Sequence, residues 1–360
     1  MIRDESTVYH PIGAGSNVYK TNFLEYIHSQ LPKNKVKISI GAQPNSIPHF
    51  GTLVVFNTAF SLAKVLQKKF SELSCSILFE MVDTAPATVE TINSIEYQKS
   101  LKCDGLTFLP TYKDLLKNLS KYHDISFEIR GQADFNSSSS VLAIINNVIM
   151  NHEKIDKFLA PDTQNLRIRI ACPECGRSDK KAKNLRIQKH TLFSVCPFHG
   201  EFSVDYLINP QLLEYNTPLR NLIRQLLYMQ ESVDSTVDYC WIRLTGSDYA
   251  GFYQEQTLYK AAAALGYSIE QLPVIVYAPL VTDWSGAKLS KSLYVKKNAY
   301  RDLPTYLLDY NSLIEIFGLE GLYFLAQITD DWINNPYKLF RSYSVDYFKY
   351  MFESKLRGNK

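Results

Sequence analysis

The sequence has no excess of charge of either sign. Lys and Arg together number 39 and Asp and Glu 36, a formal net charge of +3 in 360 residues. That is too small to imply a nucleic-acid partner, which could be read only from local clustering. No unbroken apolar run approaches the length of a bilayer. The longest, "VLAIINNVIM", is interrupted by two asparagines, so no membrane partner is expected. The start, "MIRDESTVYHPIGAGS", carries acidic residues and lacks the apolar stretch of a secretory signal. A reducing cytoplasmic setting is therefore expected, in which disulfides do not persist. There is no internal repeat and one low-complexity patch, Ser137 to Ser140. Cysteine is sparse, and Cys75, Cys103 and Cys240 stand alone in apolar surroundings, as small buried hydrophobes do.

What is present is an ordinary globular composition, 46% apolar and 21% charged, with ample material for a core. The length suits one large domain or two to three smaller ones. Val36, Ile38 and Ile40 alternate with polar residues, which predicts a strand. Leu53, Phe56, Phe60, Ala63 and Leu66 recur at three- and four-residue steps, as on one helix face. "CSILFEMVD", Cys75 to Asp83, is a short apolar run ending in a carboxylate, typical of a buried parallel strand. Together these make a β-α-β unit and predict an α/β fold, a Rossmann-type (HUP-like) doubly wound parallel sheet.

The rhythm lapses from Gly105 to Asn209, over a helical stretch "SVLAIINNVIMNHEKIDKFL" and an alternating, turn-rich segment. It resumes with "CWIRLTGSDYAG", the helix "FYQEQTLYKAAAALGY", the strand "PVIVYAPLV" and the loop "TDWSGAKLSKS". The expected organisation is a first half of the sheet domain at 1–104 and an inserted domain with a zinc-ribbon module at 105–209. The second half follows at 210–292, and a small helical, aromatic-rich segment at 293–360.

Within the insertion, Cys172-x2-Cys175 and Cys196-x2-His199 have close to zinc-ribbon spacing. Two such turns face to face place three thiolates and one imidazole tetrahedrally, a closed and therefore structural Zn2+ site. The alternative is four unrelated residues. Between the pairs, Lys180, Lys181, Lys183, Arg186 and Lys189 form a basic cluster that suits either a phosphate backbone or a solvated hairpin tip.

Three further pieces fall at predicted C-terminal ends of strands, where open α/β sheets bind ligands. "PHFGT", Pro48 to Thr52, lies between strand and helix, where free N–H groups and the positive dipole end favour a phosphate. Gly51 allows close approach there, and His49 can hydrogen-bond a phosphoryl oxygen; a structural cap is the plainer reading. "GAKLSKSL" places Lys288 and Lys291 around Ser290 in a glycine-hinged loop suited to a polyphosphate, though such a run also serves as a solvated loop. In "TGSDYAG", Gly246 and Asp248 suit a ribose, or make a common turn.

The order of these pieces resembles the class I aminoacyl-tRNA synthetases. Pro44-x3-Pro48-His49-Phe50-Gly51-Thr52 looks like the family's HIGH signature, with Thr52 in place of its second histidine. Lys288-Leu289-Ser290-Lys291-Ser292 looks like its KMSKS signature. The segment from "IRLTGSDYAG" to "YAPLVTDWSGAKLSKS" is similar to the glutamyl and lysyl branches. The "FLEYIHSQ" helix, the "PNSIPHFGT" turn and the CxxC-bearing insertion most resemble class I lysyl-tRNA synthetase. The resemblance covers residues 20–295 in patches.

It implies amino-acid activation with ATP and Mg2+, in which a carboxylate attacks the α-phosphate and pyrophosphate leaves. His49 and Lys291 would stabilise the transition state with Lys288 assisting. Pro48, Gly51, Thr52 and Ser290 would belong to the nucleotide site, and Gly246 and Asp248 would hold the ribose. Asp83 would meet the substrate's α-ammonium group; a helix N-cap is the competing role. Lysine is the substrate by analogy alone. Residues 293–360 are too few for the helical anticodon-binding domain of the lysyl enzymes. The expected activity is thus adenylation with transfer to tRNA or another acceptor. A nucleotidyltransferase of the same superfamily and a non-catalytic zinc-ribbon RNA-binding paralog are the alternatives. The aromatic "YFKYMF" suits either a homodimer contact or packing on its own chain.

Overall fold

A seven-residue helix, α1 (Phe23–Ser29), leads into β1 (Lys35–Ala42), α2 (Phe50–Lys69) and β2 (Ser74–Met81). The computed structural model describes residues 22–161, 165–251, 253–289, 300 and 302–357. Val36, Ile38 and Ile40 are fully buried, as their alternation requires. A hairpin follows, β3 (Pro86–Ile92) and β4 (Ile95–Ser100), its tight turn made by Asn93 and Ser94 in the left-handed region. α3 (Leu109–His123) then returns the chain to the sheet for β5 (Phe127–Arg130).

Next come α4 (Gln132–Asn136), α5 (Ser139–Met150) and α6 (His152–Leu159). The sequence reads the last two as one helix; the chain breaks at Asn151, whose side chain bonds back to the Asn147 carbonyl at 3.0 Å. Six short strands follow, β6 (Ile168–Ile170), β7 (Arg177–Asp179), β8 (Arg186–Gln188), β9 (Thr191–Cys196), β10 (Gly200–Asp205) and β11 (Leu213–Tyr215). β7 joins the β3–β4 hairpin, β8 to β10 form a meander, and β6 pairs with β11. α7 (Thr217–Val233) then leads to β12 (Tyr239–Gly246) and β13 (Val274–Ala278).

The main sheet runs β13-β12-β1-β2-β5 with every pairing parallel. From β1 the chain winds outward to β2 and β5, then crosses over to β12 and β13. The α/β doubly wound class is thus realised, with its switch point between β1 and β12. The two faces carry separate cores. Ile77, Phe79 and Ile242 pack with α2 on one, while Leu78 and Trp241 pack with α7 on the other. The stretch 105–209, expected as an insertion, contributes α3 and β5 to this layer. Conversely β3–β4, from the expected first half, pairs with β7 outside it. β5 escapes a pattern reading because a four-residue edge strand, "FEIR", carries no apolar run.

Two other expectations change in detail. Residues Tyr253–Ala261, expected as an α-helix, wind as a π-helix. Pro279 has no N–H to continue β13, so Val281–Thr282 pairs instead with Tyr343–Ser344.

α2 and the helix Tyr310–Asn334 have the length and mean hydropathy, 1.2, of a membrane span, which a search for unbroken apolar runs passes over. α2 is the sheet's own helix, with 78% of its apolar window buried. Several of its buried polar groups are bonded: Asn57 Nδ2 and Thr58 Oγ1 donate to carbonyls one turn back at 2.8 and 2.7 Å, and Ser61 bonds Thr329 at 2.8 Å, while Asn57 Oδ1 has no partner among the described residues. Tyr310–Asn334, kinked at Gly318, lies against it. Within "YFKYMF", Phe348 and Phe352 are fully buried against Phe50, Tyr306 and Phe324 of the same chain, leaving Tyr350 exposed.

Candidate active site

The turn from β1 into α2 answers what a histidine and a glycine do side by side. His49 is the N-cap residue, extended at φ −75°, ψ 161°, yet its ring makes no capping bond. The main-chain oxygen of His49 accepts the N–H groups of Thr52 and Leu53 at 2.7 and 3.1 Å, which leaves the imidazole to line the cleft above the sheet. A Cβ at position 51 would stand 3.0 Å from His49 Cε1, so the bare glycine makes room for that ring. The turn is held from behind: Phe50 N–H donates to Leu308 O and Tyr310 N–H to Pro48 O, both at 2.9 Å.

Across the switch point β12 ends at Gly246, and Asp248 follows on a single 3-10 turn. Lys288 reaches it from a hairpin after β13 and forms an ion pair with the Asp248 carboxylate. The hairpin is built locally. Asp283 accepts from Ser285 N–H and Oγ at 2.9 and 2.6 Å, Gly286 turns at φ +83°, and Leu289 N–H returns to Val281 O at 2.9 Å. His49, Gly51, Thr52, Gly246, Asp248 and Lys288 therefore line one cleft of about 280 Å3. Pro48 is buried behind it, and Ser290 and Lys291 lie outside the described residues.

Asp83 does not join them. Its carboxylate accepts the Gln132 N–H at 3.2 Å at the start of α4, and it does not line the cleft. Burial pushes its pKa up. A strand-end aspartate one residue past the cleft wall has gone to the neighbouring helix N-terminus, the competing role noted for it.

The cleft has an arginine wall that the sequence reading did not single out. Arg220 and Arg224, one turn apart on α7, and Arg243 of β12 line it. Beneath them lies Glu80, fully buried, which takes two hydrogen bonds from Arg130 and one from Tyr228 Oη at 2.9 Å. Arg224 Nη2 stands 3.8 Å from it. Burial acts to raise Glu80, but Arg224 and Arg130 outweigh it and hold the carboxyl below its ordinary value. Tyr228 also bonds Ser39 Oγ at 2.7 Å, which receives Arg243 at 2.9 Å. The signal was legible in kind: Glu80 in "CSILFEM" and Arg243 in "CWIRLTG" are charges inside otherwise apolar strands, and such charges need partners.

The second predicted constellation also assembles. The ligand atoms of Cys172, Cys175, Cys196 and His199 all lie within 4.8 Å of one another. Cys175 Sγ to Cys196 Sγ is 3.6 Å, and His199 Nδ1 is 3.5 Å from Cys172 Sγ and from Cys196 Sγ. A tetrahedron with ordinary zinc bond lengths has edges of about 3.8 Å (S to S) and about 3.6 Å (S to N). The four side chains could hold zinc without rearrangement. The basic run nearby is largely matched within the chain. Lys180 and Lys181 pair with Glu96 at 3.2 and 3.0 Å, and Arg186 pairs with Glu201 at 2.6 Å.

No protein-family model matches the chain, and no curated protein matches it in sequence. Among solved structures it is similar to a proposed arginyl-tRNA synthetase from Campylobacter jejuni, at 10% identity and TM-score 0.37, over 85% of this chain and 66% of that one. Glutamate-tRNA synthetase from Elizabethkingia anophelis gives 13% and 0.41, over 90% and 71%. Arginyl-tRNA synthetase from Plasmodium falciparum gives 10% and 0.36, over 83% and 50%. This chain thus spans from half to about 71% of the lengths of these structures. These likenesses are distant, and the chemistry of the cleft is read from its own residues.

Proposed function

We propose that this chain activates an amino acid with ATP, forming an aminoacyl-adenylate and pyrophosphate, and passes the aminoacyl group to tRNA or another acceptor. The supporting observation is convergence. Residues far apart in sequence, the "PHFGT" turn, Gly246-x-Asp248 and Lys288, line one cleft at the C-terminal ends of β1 and β12. The switch point of a doubly wound sheet is where a nucleotide is held.

In this reading the α2 N-terminus and Gly51 face the phosphates, with Mg2+ accompanying the nucleotide, and Asp248 faces the ribose. An oxygen of the amino acid's carboxylate attacks the α-phosphorus as the bond to the bridging oxygen breaks, and that electron pair leaves with pyrophosphate. His49 donates a hydrogen bond to the charge that develops on the α-phosphoryl oxygens, and Lys288 and Lys291 neutralise the leaving pyrophosphate. Lys288 pairs with Asp248, and a ribose hydroxyl competing for that carboxylate would turn the ammonium to the phosphates.

The test is ATP–pyrophosphate exchange against all the amino acids, with and without bulk tRNA. Exchange that depends on one amino acid is the expected result. Exchange with no amino acid present would make the chain a nucleotidyltransferase, and none under any condition would remove the activation reading. Then the RNA-binding alternative would stand, although the pairing of Lys180, Lys181 and Arg186 with nearby acids does not favour it.

A further inference from the structure

The cleft is lined by more cations than carboxylates. Of the charged side chains lining the cleft, Arg220, Arg224, Arg243 and Lys288 are cations and Asp248 is the carboxylate, already paired with Lys288. Glu80 lies behind the wall, and its hydrogen bonds come from Arg130 and Tyr228. Arg224 donates to Gln132 Oε1 at 3.2 Å, while its Nε has no hydrogen-bond partner among the described residues although the side chain is buried. A buried guanidinium N–H without an acceptor costs free energy unless a ligand supplies one. The Arg243 guanidinium reaches from within β12 towards the end of β1, with Nη2 3.5 Å from where a Cβ on Gly41 would be.

Resting on the activation reading, we propose that this wall receives the side-chain carboxylate of the amino acid, so that the substrate is dicarboxylic, an aspartate- or glutamate-like amino acid, and not lysine. Guanidinium forks match a carboxylate in geometry and charge. A lysine ammonium brought to the same wall would meet like charges, with Asp248 and Glu80 already engaged. The α-carboxylate is not the group held here. As the nucleophile it must bring electron density to the α-phosphorus, and an arginine clamp would draw that charge away from both oxygens. The phosphates have their own partners in the α2 N-terminus and Lys288.

Two measurements decide it. In ATP–pyrophosphate exchange with the unaltered chain, aspartate or glutamate is expected to exceed asparagine, glutamine and lysine by about 100-fold or more, since a site built for hydrogen bonding rejects analogues that lack the group. In Arg220→Gln, the KM for the dicarboxylic amino acid should rise about 10- to 100-fold, the worth of one charged hydrogen bond, with the KM for ATP unchanged. A preference for lysine or a neutral amino acid overturns the inference and leaves activation standing, as does an Arg220→Gln effect on ATP alone. If no amino acid supports exchange, activation fails instead, and calorimetry with glutamate and aspartate decides the wall. Binding that Arg220→Gln abolishes supports the anionic subsite, and no binding overturns it. Arg224 is left unaltered because its loss strips charge from beside buried Glu80.

Discussion

The imidazole of His49 makes no capping bond at the helix it starts and lines the cleft, so replacing it removes a group from the site. His49→Ala is expected to lower the exchange rate by about 10²- to 10³-fold, the range for one transition-state donor, with an unchanged circular dichroism spectrum. Glu80 behaves in the opposite way. Its folded pKa lies below the ordinary 4.5, so the unfolded chain binds the proton more tightly. The stability this provides is whole above about pH 4.5 and is lost as pH falls through the lower folded value. Glu80→Gln should therefore be less stable at pH 7, by about 3–5 kcal/mol for a broken buried pair, and the gap from wild type in urea titrations should narrow towards pH 3. These two residues also mark the limit of what could be read from sequence. That His49, Asp248 and Lys288 share one cleft was legible because strand-end turns with phosphate-type residues point to one edge of a sheet. Arg220 and Arg224 were not, since arginines spaced four apart on an amphipathic helix look the same facing water or facing a cleft. Asp83 shows the same blindness: its carboxylate turns to the Gln132 N–H at the start of α4, which no strand pattern reveals.

At the scale of elements, the zinc module was legible because two tight Cys/His turns fix their own geometry, whatever the chain between them does. β3–β4 falls within the stretch expected as the first half of the sheet domain, 1–104, where no strand pattern says which sheet a hairpin joins; the pairing of Tyr97 with Asp179 decides that. The short strands β7 to β10 bury few apolar side chains, so a zinc ion held by the four side chains would support the module more than its core does. Elemental analysis should find one zinc per chain. A chelator, or Cys175→Ser, should release it, lower the melting temperature, and strip amide protection first from β7 to β10 in hydrogen exchange. Uniform loss of protection across the chain would mean that the metal supports the whole fold, not the module.

For the molecule as a whole, the parallel sheet and its winding followed from the sequence, while the role of the C-terminal segment did not, because aromatic residues report burial without naming a partner. Phe352 packs on Tyr306, Phe317 and Phe324 and is fully buried. Phe352→Ala should cost about 3–5 kcal/mol in denaturant unfolding, as emptying an aromatic core position does, and leave the sedimentation coefficient at matched concentration unchanged. A shift in sedimentation without loss of stability would instead make the tail a contact between copies. The seam between Pro48, Phe50, Leu308 and Tyr310 has a consequence of another kind. The shape of the turn bearing His49 is not stored in the nearby sequence; it is imposed by backbone from the far end of the chain. A severed piece of residues 1–301 could therefore carry every residue proposed to face the nucleotide, Lys291 included, and remain inert. Adding residues 302–360 as a separate polypeptide would restore turnover without bringing a single group to the substrate.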